Sequence, residues 1–138
     1  MCIRDSHVVN ELHTWQNANL KLYLKTQDVI HSLFLPNLRL KQDALPGKTI
    51  PVWFRATASN MIKNGDKWVH NENLGAGEAT FEITCAELCG GRHYAMRGRL
   101  CVHPDKDDYL AWLKQALEQQ KSFKPEAPPA TPIVLNQE

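Results

Sequence analysis

The chain has no long apolar run. Its most apolar-rich stretch, residues 33–40, is interrupted by Pro36, Asn37 and Arg39, far short of the roughly 18 residues a membrane-crossing helix takes. Charge of one sign is equally scarce. Sixteen Lys and Arg stand against fifteen Asp and Glu, a formal net charge of +1. No basic stripe collects along the chain, which removes nucleic acid from the expected partners. The opening residues MCIRDS lack the basic-then-apolar order of an export signal. They read as a truncated or foreign edge, and Cys2 is given no role. Internal repeats are missing, and so is a disulfide framework. Of the four cysteines, two share one loop, and Cys101 sits in an apolar alternation where a small core residue fits.

What is present is an ordinary globular composition, 43% hydrophobic and 22% charged over 138 residues, enough for one domain with its own core. The expected organisation is an edge over residues 1–18, a domain over 19–120 and a proline-rich tail over 121–138. Residues 20–26 alternate Leu20, Leu22, Leu24 against Lys21, Tyr23, Lys25, the period of a half-buried strand. Further strands are expected over residues 28–35, stopped by Pro36, and 38–43, followed by a Pro46-Gly47 turn. The β-branched and aromatic run 49–57 is another, with Pro51 marking an edge. Residues 58–77 are polar and read as a long surface excursion pinned by Trp68. Short strands over 79–84 and 100–103 flank the next loop. Asp105 is placed to cap a closing helix, with Asp107 and Asp108 in its first turn and Tyr109, Trp112, Leu113, Ala116 and Leu117 at helical spacing. Many short strands followed by one helix predict a mainly β sandwich or barrel.

Residues 83–98 read ITCAELCGGRHYAMRG. Cys85, Cys89, His93 and Met96 bring two thiols, an imidazole and a thioether onto one loop. These soft and borderline donors select copper over magnesium, calcium or manganese. One cysteine with histidine and methionine would suggest a mononuclear blue-copper site, whereas two thiolates can bridge a pair of copper ions. An electron-transfer centre is therefore the leading reading, with the Glu87 backbone carbonyl available between the cysteines. A copper pair needs one more strong ligand to balance His93. His31, in the run VIHSLFL, is the best candidate, although a lone histidine in such a run is more often a hydrogen-bonded core residue. His7, His13, His70 and His103 read as solvent-facing or structural. Three other readings of the loop stand beside copper. Structural zinc on Cys85, Cys89 and His93 has no use for Met96. A Cys85–Cys89 disulfide leaves His93 and Met96 without a reason. A catalytic thiol would be exposed to oxidation by its neighbour.

CAELCGGRHYAM, residues 85–96, resembles the Cys-x-Glu-x-Cys-Gly-x-x-His-x-x-Met signature of the copper-binding domain of cytochrome c oxidase subunit II. DVIHSLFLPNLRLKQDALPG, residues 28–47, is similar to the family segment that brings in the other histidine, and DDYLAWL, residues 107–113, has the family look. The resemblance covers roughly residues 20–117. It implies a cupredoxin-like Greek-key β-barrel with a short C-terminal helix, holding a dinuclear, mixed-valence copper A centre. Cys85 and Cys89 would bridge both ions, His31 and Met96 would complete one, and His93 with the Glu87 carbonyl oxygen the other. The Glu87 carboxylate would reach a magnesium or manganese at the subunit I interface. The implied role is electron input: from cytochrome c or an equivalent donor to the haem of cytochrome c oxidase subunit I, where oxygen is reduced and protons are pumped. The domain itself would not be catalytic. It would sit on the periplasmic face of the membrane, anchored by a two-helix hairpin that this chain does not include, so the chain reads as a fragment. Two departures accompany the resemblance. The aromatic entry cluster of the family falls mostly upstream, with Trp15 no substitute, and the near-neutral charge leaves the donor open. The similar copper A domain of nitrous-oxide reductase is the alternative, and the wording of residues 28–47 together with Glu87 favours the oxidase.

Overall fold

The computed structural model describes residues 10–65, 67–71 and 81–122. Expectations for Cys2, His7, residues 72–80 and the tail from 123 lie outside them, as does the Trp68 side chain. In chain order the strands are β1 (Glu11–Trp15), β2 (Asn19–Leu24), β3 (His31–Leu35), β4 (Leu40–Ala44), β5 (Ile50–Arg55), β6 (Met61–Asn64), β7 (Lys67–His70), β8 (Phe81–Cys85) and β9 (Arg97–His103). The helix α1 (Lys106–Ser122) closes the described fold.

The period-two pattern of β2 is realised as expected. Leu20, Leu22 and Leu24 turn inward while Lys21 and Tyr23 face solvent. β5 answers it with Val52 and Phe54 buried and Pro51, Trp53 and Arg55 exposed. The two strands pair antiparallel, with Leu20 opposite Phe54 and Leu22 opposite Val52. Pro51 costs nothing here because β5 pairs with β2 alone. This ribbon lays its apolar face on a five-stranded sheet ordered β1-β9-β8-β3-β4. Leu35, Phe54, Ala56, Leu100 and Val102 form the centre of the sandwich, with Leu12, Leu20, Leu22 and Ile83 packed around them. Burying each such side chain contributes about 2 kcal/mol. The result is a mainly β, two-layer fold with one closing helix.

From Leu100 onward β9 is buried on both faces because a second layer covers its back. Leu100 and Val102 point into the sandwich, while Cys101 and His103 point the other way. There α1 packs, with Tyr109 and Leu113 buried and the Trp112 ring stacked 3.5 Å from the His13 ring. The expected cap is present: the Asp108 N–H donates to Asp105 Oδ1 at 2.8 Å. The helix runs through Ser122, two residues past the expected domain end at 120.

Several local expectations differ. The domain was expected to open at residue 19, but β1 lies in the main sheet and pairs parallel with β9. Its two buried side chains are polar, His13 on the α1 side and Thr14 on the core side, so no apolar alternation announced it. β3 begins at His31 rather than 28, leaving Val29 and Ile30 exposed. After it, Pro36–Leu38 forms a 3-10 turn that Arg39 ends in the left-handed region at φ 51°. That delays β4 to Leu40, two residues later than expected. Within 58–77 the chain is more than a surface excursion. β6 and β7 form a hairpin, and Asn60 and Met61 are buried. Asn60 Nδ2 donates to the Leu100 carbonyl at 2.9 Å, and the Val102 N–H donates to Asn60 Oδ1 at 2.7 Å. β8 pairs with β9 only as far as Leu100, and the Asn60 side chain continues the ladder where it stops.

Candidate metal centre

The loop between β8 and β9 is fixed by its own backbone. The Cys85 N–H donates to the Met96 carbonyl at 3.2 Å, tying the two ends together, and the Ala86 N–H donates to Ser32 on β3 at 3.0 Å. Gly90 adopts φ 127°, a conformation that side-chain-bearing residues avoid. The chain can then reverse, so that the His93 N–H reaches the Gly90 carbonyl at 3.1 Å. A single 3-10 turn, His93–Ala95, follows and delivers Met96 to the mouth of β9. Both cysteines are half-buried and free.

Six expected ligand groups surround this loop, and the structure brings their donor atoms together. The two sulfurs, Cys85 Sγ and Cys89 Sγ, are 3.8 Å apart. His31 Nδ1 lies 3.8 Å from Cys85 Sγ, and the Glu87 carbonyl oxygen lies 3.3 Å from it. His93 Nδ1 is 3.4 Å and Met96 Sδ 3.3 Å from Cys89 Sγ. His31, Cys85 and Cys89 offer ligand atoms all within 4.8 Å of one another. His31 arrives by register, since it opens β3 and that strand sets Leu33 opposite Cys85 on β8.

One contributor was not singled out from the sequence. Asp28 Oδ1 sits 2.8 Å from His31 Nε2, and Thr26 Oγ1 donates to the same oxygen at 2.9 Å. A carboxylate on the far nitrogen fixes ring orientation and leaves Nδ1 aimed at the sulfurs. The signal was present as an acid three residues before a histidine expected to be a ligand. His31 holds the Asp28 carboxyl down at about 2. In return Asp28, with a smaller effect from Cys85, raises the His31 pKa. Burial opposes ionisation of Cys85, but the Ser32 and Glu87 backbone, His31 and Cys89 outweigh it and bring the thiol down to about 6. Burial and the neighbouring Cys85 push Cys89 up. One thiolate is therefore easily formed and the second resists, which is how a tight pair of like-charged sites behaves before a cation joins them.

Two thiols, two imidazoles, a thioether and a carbonyl suit a soft or borderline transition metal and are a poor set for calcium or magnesium. Leu88, Tyr94 and Met96 on the same loop are exposed, at 81%, 77% and 41%.

A cupredoxin-like metal domain is the class that this sandwich and its ligand loop define. A family described as cytochrome c oxidase subunit II, periplasmic domain, matches residues 3–65. An alternative cytochrome c oxidase subunit 2 of Bradyrhizobium diazoefficiens is 35% identical over 113 residues, covering 82% of this chain and 32% of that protein. A cytochrome c oxidase subunit 2 of Thermostichus vulcanus is 40% identical over 113 residues, covering 80% and 28%. The crystal structure of the periplasmic domain of subunit II of cytochrome oxidase (CoxB) of Bradyrhizobium japonicum superposes with a TM-score of 0.61 at 28% identity, covering 85% of this chain and 70% of that one. The chain is similar to cytochrome c oxidase subunit II, and the similarity falls on the periplasmic domain of that subunit. It spans about a third of the length of the curated relatives it matches, and no helix among the described residues is long and apolar enough to cross a membrane.

Proposed function

We propose that His31 and the loop from Cys85 to Met96 hold a dinuclear copper A centre in the electron-input subunit of a respiratory haem-copper oxidase. The domain would take single electrons from cytochrome c or an equivalent donor and hand them to the haem of subunit I. The observation that supports this most is the pair of free thiols 3.8 Å apart with an imidazole nitrogen beside each. When bound, the copper pair supplies a one-electron couple whose charge is spread over both ions through soft sulfur.

The residues divide the work. Cys85 and Cys89 would hold both ions. His31 with Met96 would complete one and His93 with the Glu87 carbonyl the other, Met96 and the carbonyl being the weak ligands that would tune potential. Cys85 is predisposed to give up its proton, and loading releases the proton of Cys89 as well. Strands β3, β8 and β9 anchor the ligands on rigid elements, which limits rearrangement when an electron arrives. The exposed rim of Leu88 and Tyr94 gives an apolar patch for a partner protein, and the Glu87 carboxylate is placed in this reading at a magnesium or manganese on the subunit I interface. The site faces the periplasm and is membrane-anchored through the rest of the subunit. The nitrous-oxide reductase alternative is not favoured, because the relatives above are oxidase subunits.

Copper reconstitution of the reduced protein, with metal quantification and electron paramagnetic resonance on one sample, tests the proposal. Two coppers per chain sharing one unpaired electron equally is the expected result. One copper with a localised signal, or zinc retained in its place, would overturn it. Cys85→Ser and Cys89→Ser should each abolish the dinuclear spectrum, since a hydroxyl does not bridge as a thiolate does. A wild-type visible spectrum in either variant would refute the bridging role.

A further inference from the structure

On the face of the main sheet turned away from the sandwich core, β1 and β9 present a second group of ligand side chains. Their parallel register sets Glu11 beside Arg99, His13 beside Cys101 and Trp15 beside His103. Leu12 and Leu100 point into the core, so Glu11, His13 and Cys101 point together toward α1. One ligand atom from each lies within 4.8 Å of the other two. They line a cleft of about 730 Å³ together with His70 on β7 and Trp112 on α1.

The details are those of a prepared coordination site. His13 Nε2 and Glu11 Oε2 are 3.2 Å apart. Two ligands bonded at about 2.0 Å to one tetrahedral ion stand roughly 3.3 Å apart. The other ring nitrogen, His13 Nδ1, lies 3.0 Å from Nε2 of fully buried His103. With the proton on Nδ1 donated to His103, the Nε2 lone pair is free to face Glu11 and Cys101. An outer partner holding the second nitrogen is the usual companion of a metal-binding histidine. Trp112, stacked at 3.5 Å and 10°, fixes the ring plane. The Cys101 thiol is buried and free, with no hydrogen bond among the described residues. The His70 Nδ1 atom in the same cleft is buried with no hydrogen-bond partner among them. Carboxylate, thiolate and neutral imidazole together neutralise a doubly charged ion, which lowers the cost of burying it. One thiolate with one imidazole and one carboxylate is a zinc-type set, too soft for calcium or magnesium.

We propose that Glu11, His13 and Cys101, with His70 bordering the same cleft, form a second metal site for a zinc-class divalent cation, separate from the loop centre. Binding forms a metal–sulfur bond at Cys101 and releases its thiol proton to solvent. No electron is transferred.

Zinc dialysis and cobalt(II) absorption on a Cys2→Ser, Cys85→Ser, Cys89→Ser variant isolate this site from the other thiols. The expected result is one zinc per chain, and with cobalt a thiolate-to-metal charge-transfer band beside intense tetrahedral ligand-field bands. Adding Cys101→Ala should remove the charge-transfer band. Glu11 is exposed, so Glu11→Gln leaves the fold intact by circular dichroism and should weaken zinc at least tenfold. The otherwise unaltered protein gives an independent reading: after full copper loading it should still take one zinc, and Glu11→Gln in that background should lose it. No zinc binding in the triple-serine variant and in the copper-loaded protein would overturn the proposal. So would a charge-transfer band that survives Cys101→Ala, or an affinity untouched by Glu11→Gln.

Discussion

At His31 a single exposed carboxylate decides how the imidazole is presented. Asp28 grips Nε2 at 2.8 Å, and Nδ1 is left facing Cys85. Asp28→Asn keeps the shape and removes the charge, so copper affinity should fall about 10- to 100-fold with two ions still bound at saturation. A competition titration against a chelator of known strength reads this directly, and an unchanged affinity would show that the ring is oriented by strand β3 alone. Asn60 is the corresponding residue for the fold. Its amide serves the Leu100 carbonyl and the Val102 N–H, both on a strand buried on its two faces. Asn60→Ala leaves both groups unpaired in the interior and should cost about 3 kcal/mol in denaturant unfolding. Cys85, Cys89, His93 and Met96, the proposed ligands on the loop, lie close in sequence and stand out by their spacing. Asn60 does not: its partners lie some 40 positions on, and nothing in a polar stretch marks which asparagine turns inward.

Elements were legible where one face alone is buried. β2 and β5 alternate because their outer face meets water, and α1 announced itself by its cap and helical spacing. β1 did not, because its buried residues include a histidine and a threonine and its partner is the last strand of the sheet. The boundaries of β3 and β4 slipped because one left-handed residue, Arg39, re-sets the chain after Pro36. In the ligand loop the local geometry rests on Gly90 at φ 127°, while neighbouring Gly91 needs no such conformation, and an added Cβ would meet nothing within 4 Å at either. The two glycines therefore separate conformation from space. Gly90→Ala strains the reversal by about 1–2 kcal/mol, moves His93 relative to Cys89 and should lower copper affinity. Gly91→Ala should bind as the parent does. Equal loss in both, measured by copper titration, would mean the loop needs bulk flexibility rather than one left-handed turn.

Across the whole molecule the titrating groups divide into two sets with opposite effects on stability. His103 and His13 are buried neutral between β1, β9 and α1. Burial, with His13 nearby, brings the His103 pKa down to about 4, and burial also lowers that of His13. In the unfolded chain both take up a proton near 6.5. Between about 6.5 and 4 the unfolded state thus holds more protons than the folded state. Stability is full above this window, declines as pH falls through it, and the loss is complete below the folded pKa. For His103 alone the change is about 3 kcal/mol. His31 acts the other way: its raised pKa adds stability that is present below 6.5 and fades as pH rises through the folded value. His31 is only half-buried and its partner Asp28 is exposed, and such pairs contribute little, so the buried histidines set the direction. Chelator-treated, metal-free protein should therefore unfold at a clearly lower urea concentration at pH 4.5 than at pH 7.5. His103→Gln, which keeps a hydrogen-bonding group but cannot take up a proton, should flatten that dependence even where it lowers stability at both pH values. A wild-type midpoint unchanged between the two pH values would mean the histidine pair already carries a proton in the folded state.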